Sequence, residues 1–325
     1  VLQAGNLALG IRLRAQIDES RPDYYYFKRI NLAMEREMKV SQGDERPVVR
    51  ALQFRAGTTH LRHLMDGEVG TRGNFMLGIW KSEGDFFSPR HRHNFEQYRY
   101  VLDGELNYNR NGKLTKGMLG YFPEGVMYGP QSQDPDKFSL ALILQFGGTS
   151  GSGFLSQPEV DAAEGELKKF GEFKKGVFRR TSGTGKKNMD GMQAIWEHVN
   201  GRPMVYPKPR LINPAFMDPT HYEWSKVDGT SNVAEKLFAV FSDRGAEARI
   251  VRFEADARHA LRGRAVYYTL SGKGTVGSEP LRAMTSFYLD AGESVEIAAQ
   301  ETVEILQLGM PKLSGMTASA GQAAA

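Results

Sequence analysis

The sequence predicts a mostly all-β chain, with two antiparallel β-barrel or jelly-roll domains joined by a mixed helix-and-loop connector. Three observations carry this. Short alternating apolar runs bounded by turn signals fill residues 47–150 and return over 235–312. Over 151–234 that alternation gives way to helix-forming and loop-forming sequence. Glycine is abundant, at 36 of 325 residues, about 11% against a usual ~7%, which suits a turn-rich β design.

Taken in order, residues 1–46 read as an N-terminal arm in which Ile30, Ala33, Met34 and Met38 fall near helical spacing. From 47 onward VVRALQF, FMLGIW, YRYVL, ELNYN, LGYF and FSLALILQF read as strands, with Asn111-Gly112 as a hairpin turn. GGTSGSG at 147–153 reads as a flexible junction, PEVDAAEGELKKF as a helix, and TSGTGKKN and GRPMVYPKPRLINP as loops. The strand rhythm resumes in KLFAVF, ARIVRF, AVYYTL, SFYL and VEILQL. Residues 313–325, small and polar, read as a flexible tail.

Composition excludes several functions. With no cysteine there is no disulfide, thiolate nucleophile, Fe–S cluster or Cys-type zinc site. No apolar run approaches the ~20 residues that cross a bilayer, and the first residues lack a signal-peptide layout, so a cytoplasmic protein with no membrane partner is expected. The net charge of +4 sits in the connector: residues 151–216 hold 11 Lys/Arg and 7 Asp/Glu, and the remaining 31 and 31 cancel. Neither barrel is basic, so a nucleic-acid partner is not expected. A connector lying over a barrel mouth would instead draw in anionic ligands. SGTGKKN and GGTSGSG both fail the spacing of nucleotide-binding glycine motifs.

The chemistry concentrates in residues 88–130, SPRHRHNFEQYRYVLDGELNYNRNGKLTKGMLGYFPEGVMYGP. His91 and His93 are two apart, so extended backbone points both imidazoles to one face, and Gln97 and Arg99 share that parity. Two His, an amide and a guanidinium make a poor apolar core and a good metal or anion pocket inside a small barrel. Arg99 would pair bidentately with a carboxylate. Glu96 has the opposite parity and reads as a solvated carboxylate.

This segment resembles the cupin superfamily. The first cupin motif, HxHxxxE and then Gly after six residues, is met by His91, His93, Gln97 in place of Glu, and Gly104. The second, G-x5-P-x-G-x2-H, is met by Gly117, Pro123, Gly125 and Tyr128 in place of His. The pattern returns in the second half, where His259 precedes Gly272 by 13 residues as His91 precedes Gly104. There the matching positions are Leu261, Ala265 and Val295, so the chain resembles a bicupin with one active and one degenerate, structural barrel. His60, His63, His198, His221 and His259 read as structural.

Within bicupins, HRHNFEQYRYVLDGE is most similar to the gentisate and salicylate ring-cleaving dioxygenases. That resemblance implies a non-haem Fe(II) on three His, two of them matched by His91 and His93. It makes a metal-dependent oxygenase the leading expectation, with a divalent metal, Fe(II) first, on His91, His93 and Gln97. Arg99 and Tyr128 would serve catalysis on a small anionic aromatic or enolic substrate. Gln brings a neutral oxygen where Glu brings a charge, and a neutral phenol is a better proton donor than ligand. The alternatives are therefore a non-redox isomerase or lyase using His and Tyr for proton transfer, or a non-enzymatic small-ligand-binding barrel. Exposed sheet edges and the arm suggest a homodimer.

Overall fold

Period-two alternation builds the two main sheets. In strand Phe95–Asn107, Gln97, Arg99 and Val101 face one side while Tyr98 and Tyr100 face the other. The computed structural model describes residues 38–50, 55–69, 71, 73–148, 154–243 and 245–311. Of the expected arm, residues 1–37, with the helical spacing of Ile30, Ala33 and Met34, lie outside the described residues, as do most of the 147–153 junction and the 313–325 tail.

In the first barrel the main antiparallel sheet runs Ala215–Met217, Leu119–Phe122, Phe95–Asn107, Ser139–Gly147, Phe75–Ser82, Thr59–Asp66, Val48–Arg50. The second runs Lys39–Gln42, Thr285–Leu289, Ala265–Ser271, Val303–Gly309, Ala246–Phe253, Val233–Phe241, Ser225–Lys226. Each is thus extended by a strand from elsewhere in the chain. Lys39–Gln42, N-terminal to the first barrel, pairs with Thr285–Leu289 of the second, and Ala215–Met217 of the connector pairs with Leu119–Phe122 of the first. A bound strand at each of these margins covers backbone groups that would otherwise be unpaired.

The hairpin expected at Asn111-Gly112 joins Glu105–Asn107 to Lys113–Thr115. Asn109 Oδ1 accepts from the Asn111 and Gly112 amides at 2.9 and 2.6 Å. Gly104 sits within the long strand at φ 72°, and a Cβ there would meet the Phe138 carbonyl oxygen at 2.2 Å. The motif glycine therefore lets the strand bend past its neighbour.

In the connector, helix α1 (Gln157–Leu167) starts at Ser156, whose amide and hydroxyl both bond Glu159 Oε2 at 2.7 Å. A second helix, α2 (Gly191–Asn200), stands in a stretch where no helix is expected from the sequence; Asp190 caps it and Gly201 ends it at φ 62°.

The two main sheets lie face to face. One cluster joins Phe75, Leu77, Tyr98, Tyr121, Leu142 and Leu144 of the first to Phe238, Ile250, Val266, Tyr268 and Leu306 of the second. Each such large side chain contributes roughly 1.5–3 kcal/mol on burial.

This contact corrects the expectation for Glu96. Its parity is opposite to Gln97 as expected, but that face meets the second barrel and not water, so Glu96 is fully buried. Tyr121 donates to Glu96, and Arg210 Nη2 of the connector reaches Glu96 Oε1 at 2.9 Å and Tyr121 Oη at 2.7 Å. Arg210 also pairs with Asp243 after the second barrel's first long strand. Arg210→Ala, which strips the guanidinium from a buried carboxylate, should lower the unfolding free energy in urea by about 3 kcal/mol. Arg210→Met with Glu96→Leu should recover most of that, and a loss below ~0.5 kcal/mol in the single variant would remove the clamp from the account of stability.

Candidate functional site

Backbone pairing places the site. His91 and Tyr128 exchange both amide–carbonyl bonds at 3.0 Å, and Gly125 N donates to the His93 carbonyl at 2.8 Å. The two motifs are thus zipped together, with Tyr128 opposite His91. The His pair lies just ahead of strand Phe95–Asn107 and not within it, yet both rings turn inward and are buried.

The side chains then converge on one atom. Tyr128 Oη lies 3.0 Å from His91 Nε2, 2.8 Å from His93 Nε2, 2.9 Å from Gln97 Nε2 and 2.8 Å from Arg99 Nη2. All five sequence-predicted residues therefore meet at the Tyr128 hydroxyl. His91 Nδ1 is 2.6 Å from the Pro89 carbonyl oxygen, which can only accept, so Nδ1 carries the proton and Nε2 accepts the Tyr128 hydrogen. Gln97, Arg99 and His93 are then left to donate to the two lone pairs of one oxygen. His93 Nδ1 is buried without a hydrogen-bond partner, and its ring stacks on Phe95 with centroids 4.3 Å apart.

Arg99 is held on every side. Its Nε and Nη2 reach Gln97 Oε1 at 3.2 Å, and Nη1 reaches Gln131 Oε1 at 3.2 Å. Its guanidinium also lies over the Phe122 and Tyr128 rings.

Burial sets the charge states. Burial first, then the Arg55 and Arg99 guanidinium groups, hold His91 well below its ordinary pKa, against the Pro89 carbonyl. Burial, His91 and Arg55 do the same for His93. Burial raises Tyr128 despite Arg99 and Gln97, and burial lowers Arg99. Both imidazoles and the phenol are neutral at pH 7.

Beside this cluster lies a cavity of about 110 Å³. His91, His93 and Arg99 reach it, whereas Tyr128 and Gln97 stand behind them. The charged groups turned to its interior are Arg55 and Arg99, with no carboxylate among the lining residues; Lys81 also borders it, but the pleat that turns Met76 and Trp80 inward turns Lys81 away, where it pairs with Glu83 at 2.7 Å. Trp80, Phe86, Phe95 and Ile143 supply apolar wall.

The connector does lie over this mouth, through Phe154, Leu155, Gln157, Val160 and Met192, but none of its Lys or Arg lines the cavity. The basic residue that does line it beside Arg99 is Arg55, which no motif in the sequence marks. Arg55 Nη1 bonds Asp190 Oδ2 at 3.0 Å, and Asp190 also caps α2, so one pair fastens the roof to the barrel.

No protein-family model and no curated protein matches the chain. Solved structures do. A candidate dioxygenase from Nostoc punctiforme superposes with TM-score 0.58 at 12% identity, covering 86% of this chain and 85% of that one. A candidate glyoxylate-induced protein from Pseudomonas aeruginosa gives 0.55 at 13% identity, covering 85% and 89%. An oxalate decarboxylase variant from Bacillus subtilis gives 0.51 at 13%, covering 85% and 77%. The fold is bicupin-like. At such identities the likeness is one of fold alone, and the chemistry has to come from the side chains.

The donor set of this barrel does not fit a resident divalent ion. Gln97 offers a metal only its carbonyl oxygen, which already accepts from Arg99 and, at 3.3 Å, from Gln145 Nε2. A guanidinium stands 2.8 Å from the oxygen that both imidazoles address. Among the described residues no three His, Asp or Glu side chains converge as a metal would require.

Of the other histidines, His63 pairs with Asp66 at 3.1 Å on strand Thr59–Asp66, which lay unrecognised in the sequence. His259 faces a cavity in the second barrel. Ile297 and not Val295 stands opposite it, because the register there runs His259↔Ile297.

Two outcomes follow for stability. Tyr128→Phe removes the shared partner of four buried polar groups and should cost about 2–3 kcal/mol in urea unfolding; a change under ~0.5 kcal/mol would mean the cluster does not depend on that oxygen. The pH dependence has a definite sign. The native imidazoles titrate below their unfolded value near ~6.5, so the unfolded chain binds more protons as pH falls and stability drops from pH ~7 toward ~5. His91→Gln with His93→Gln should flatten that slope in thermal melts, and an unchanged slope would mean the native imidazoles are not neutral.

Proposed function

We propose that the first barrel binds a small enolisable carboxylate and moves a proton on it without a resident metal, as an isomerase or lyase. The single observation that carries this reading is the convergence of His91, His93, Gln97 and Arg99 on the Tyr128 hydroxyl at 2.8–3.0 Å. It occupies the donors a metal would need and leaves a neutral imidazole beside buried guanidinium groups.

The cavity chooses the ligand. Two inward guanidinium groups, Arg99 and the Arg55 that Asp190 shares, with no carboxylate on the wall favour an anion, and a ligand carboxylate would bind between them. A volume of about 110 Å³ is below the ~150 Å³ that admits benzene, which favours a short enolic or keto acid over an aromatic one. His93 is the base: with Nε2 bonded to Tyr128, the unpartnered Nδ1 takes the proton from the carbon beside the carbonyl. The C–H electron pair becomes the enolate C=C bond, the carbonyl pair moves to oxygen, and Arg99 stabilises that oxygen. Return of the proton to a different carbon, or loss of a leaving group, completes the step. Tyr128, outside the cavity wall, is a positioning residue that fixes both imidazoles.

The test is solvent-proton exchange and turnover on a panel of short 2-keto and enolic acids, with metal analysis of the purified chain. Exchange should survive chelator and exclusion of O₂, fall at least ~100-fold in His93→Gln, and in Arg99→Lys fall in kcat as well as rise in KM. Stoichiometric iron with O₂-dependent turnover would replace this reading by the metal-dependent oxygenase, on His91 and His93 with Tyr128 displaced.

A further inference from the structure

The interior of the second barrel is not simply the first with its polar groups removed. The sheet registers align the two. Gly78 opposes Ile143 where Arg249 opposes Gln307, Met76 opposes Gln145 where Glu247 opposes Gly309, and Leu61 opposes Trp80 where Glu235 opposes Val251. Four positions that are apolar or glycine in the first barrel, Leu61, Met76, Gly78 and Ile143, are thus Glu235, Glu247, Arg249 and Gln307 in the second. A barrel kept only for support gains nothing from this exchange, because well-packed apolar side chains would be at least as stable as partly buried charges.

These four side chains line a cavity of about 420 Å³ together with His259, Val227, Val251 and Leu261. Arg249 Nη1 pairs with Glu235 Oε2 at 2.7 Å and Nη2 with Glu247 Oε2 at 2.8 Å. Gln307 Nε2 donates to Glu247 Oε1 at 2.9 Å. Glu247 is therefore engaged at both oxygens, whereas Glu235 has one oxygen outside these bonds. Arg262 lies at the same cavity, but the pleat of Arg258–Arg262 puts His259 and Leu261 inward and Arg262 outward, where it is exposed. Two carboxylates against one inward guanidinium leave the interior one negative charge in excess, the reverse of the first barrel.

We propose that the second barrel is a binding site for a small organic cation, a primary ammonium on a short apolar body. The ammonium sits at Glu235, its remaining protons facing His259, and the apolar body lies on Val227, Val251 and Leu261. This site stands on residues of the second barrel alone and does not depend on the reaction assigned to the first.

The test is calorimetric and NMR titration of the full chain with three probes of equal length, n-butylammonium, n-butanol and butyrate. The ammonium should bind saturably and at least ~tenfold tighter than the other two, shifting the His259 ring resonances and not those of His91. Glu235→Gln should weaken it by at least ~tenfold. Leu261→Trp, which fills the cavity without touching a charge, should abolish binding and keeps the test decisive if Glu235→Gln does not fold. Equal or tighter binding of butyrate or n-butanol, no saturable response to n-butylammonium, or full affinity in Leu261→Trp overturns the proposal.

Discussion

Strand Phe95–Asn107 has to serve two environments at once, and the rest of the structure follows from how its pleat divides them. One face carries Gln97 and Arg99 into the polar interior of the first barrel, and the other carries Glu96, Tyr98 and Tyr100 into the seam between sheets. A shift of one residue would put the guanidinium of Arg99 into that apolar seam and the tyrosines into the ligand cavity. Register is held by the seven residue pairs with Ser139–Gly147 upstream of the Leu140/Ala141 irregularity, by the Gly104 bend at its end, and by the Glu96–Arg210 contact. The last of these is also a contact between connector, first barrel and second barrel, so the geometry of the site and the attachment of the barrels share one strand.

The Tyr128 hydroxyl is the second consequence of that placement. A phenol inserted where both motifs converge satisfies donors that would otherwise be buried without partners. It also fixes tautomers: the Pro89 carbonyl holds the proton on His91 Nδ1, and this directs the Tyr128 hydrogen toward Nε2. The low dielectric that keeps the imidazoles neutral is the same one that would strengthen any pairing of Arg99 with an anion. Neutral base and fixed cation within one dry cluster is a combination suited to proton transfer on an anion, because the cation stabilises charge that develops as the proton leaves.

Fold class was legible because two-residue alternation and turn chemistry are local properties; FMLGIW, FSLALILQF and ARIVRF each became a strand of a main sheet. The site residues were legible for the same reason, since parity and motif spacing place His91, His93, Gln97, Arg99 and Tyr128 on one interior. What failed to show was non-local. Glu96 looked solvated because nothing in its neighbourhood says that its face meets another sheet. Arg55 carries no motif, and its part comes from Asp190, some 135 positions away in the chain. THLRHLMD escaped notice because its two histidines and arginine mask the alternation of Leu61, Leu64 and Met65, which a bulge between His63 and Met65 breaks as well. Helix α2 hid behind the glycine-rich loop before it, although Asp190 and Gly201 are its cap signals.

What a degenerate repeat is compared for decides what it shows. Scored against the first barrel's motif, it keeps only His259 and looks like scaffold, because the comparison asks where old donors were lost. Asked instead where polar groups were gained, the same alignment finds Glu235, Glu247, Arg249 and Gln307 on the inward face of neighbouring strands. The two barrels differ in the sign of what lines them: Arg55 and Arg99 turned inward without a lining carboxylate in one, two glutamates around a single inward arginine in the other. Because each main sheet turns its outer face to the seam, the inner faces are free to diverge without disturbing the contact that joins them. Two barrels on one backbone plan thus carry interiors of opposite charge, and charge on the inward positions, more than the count of surviving histidines, is the property that separates them.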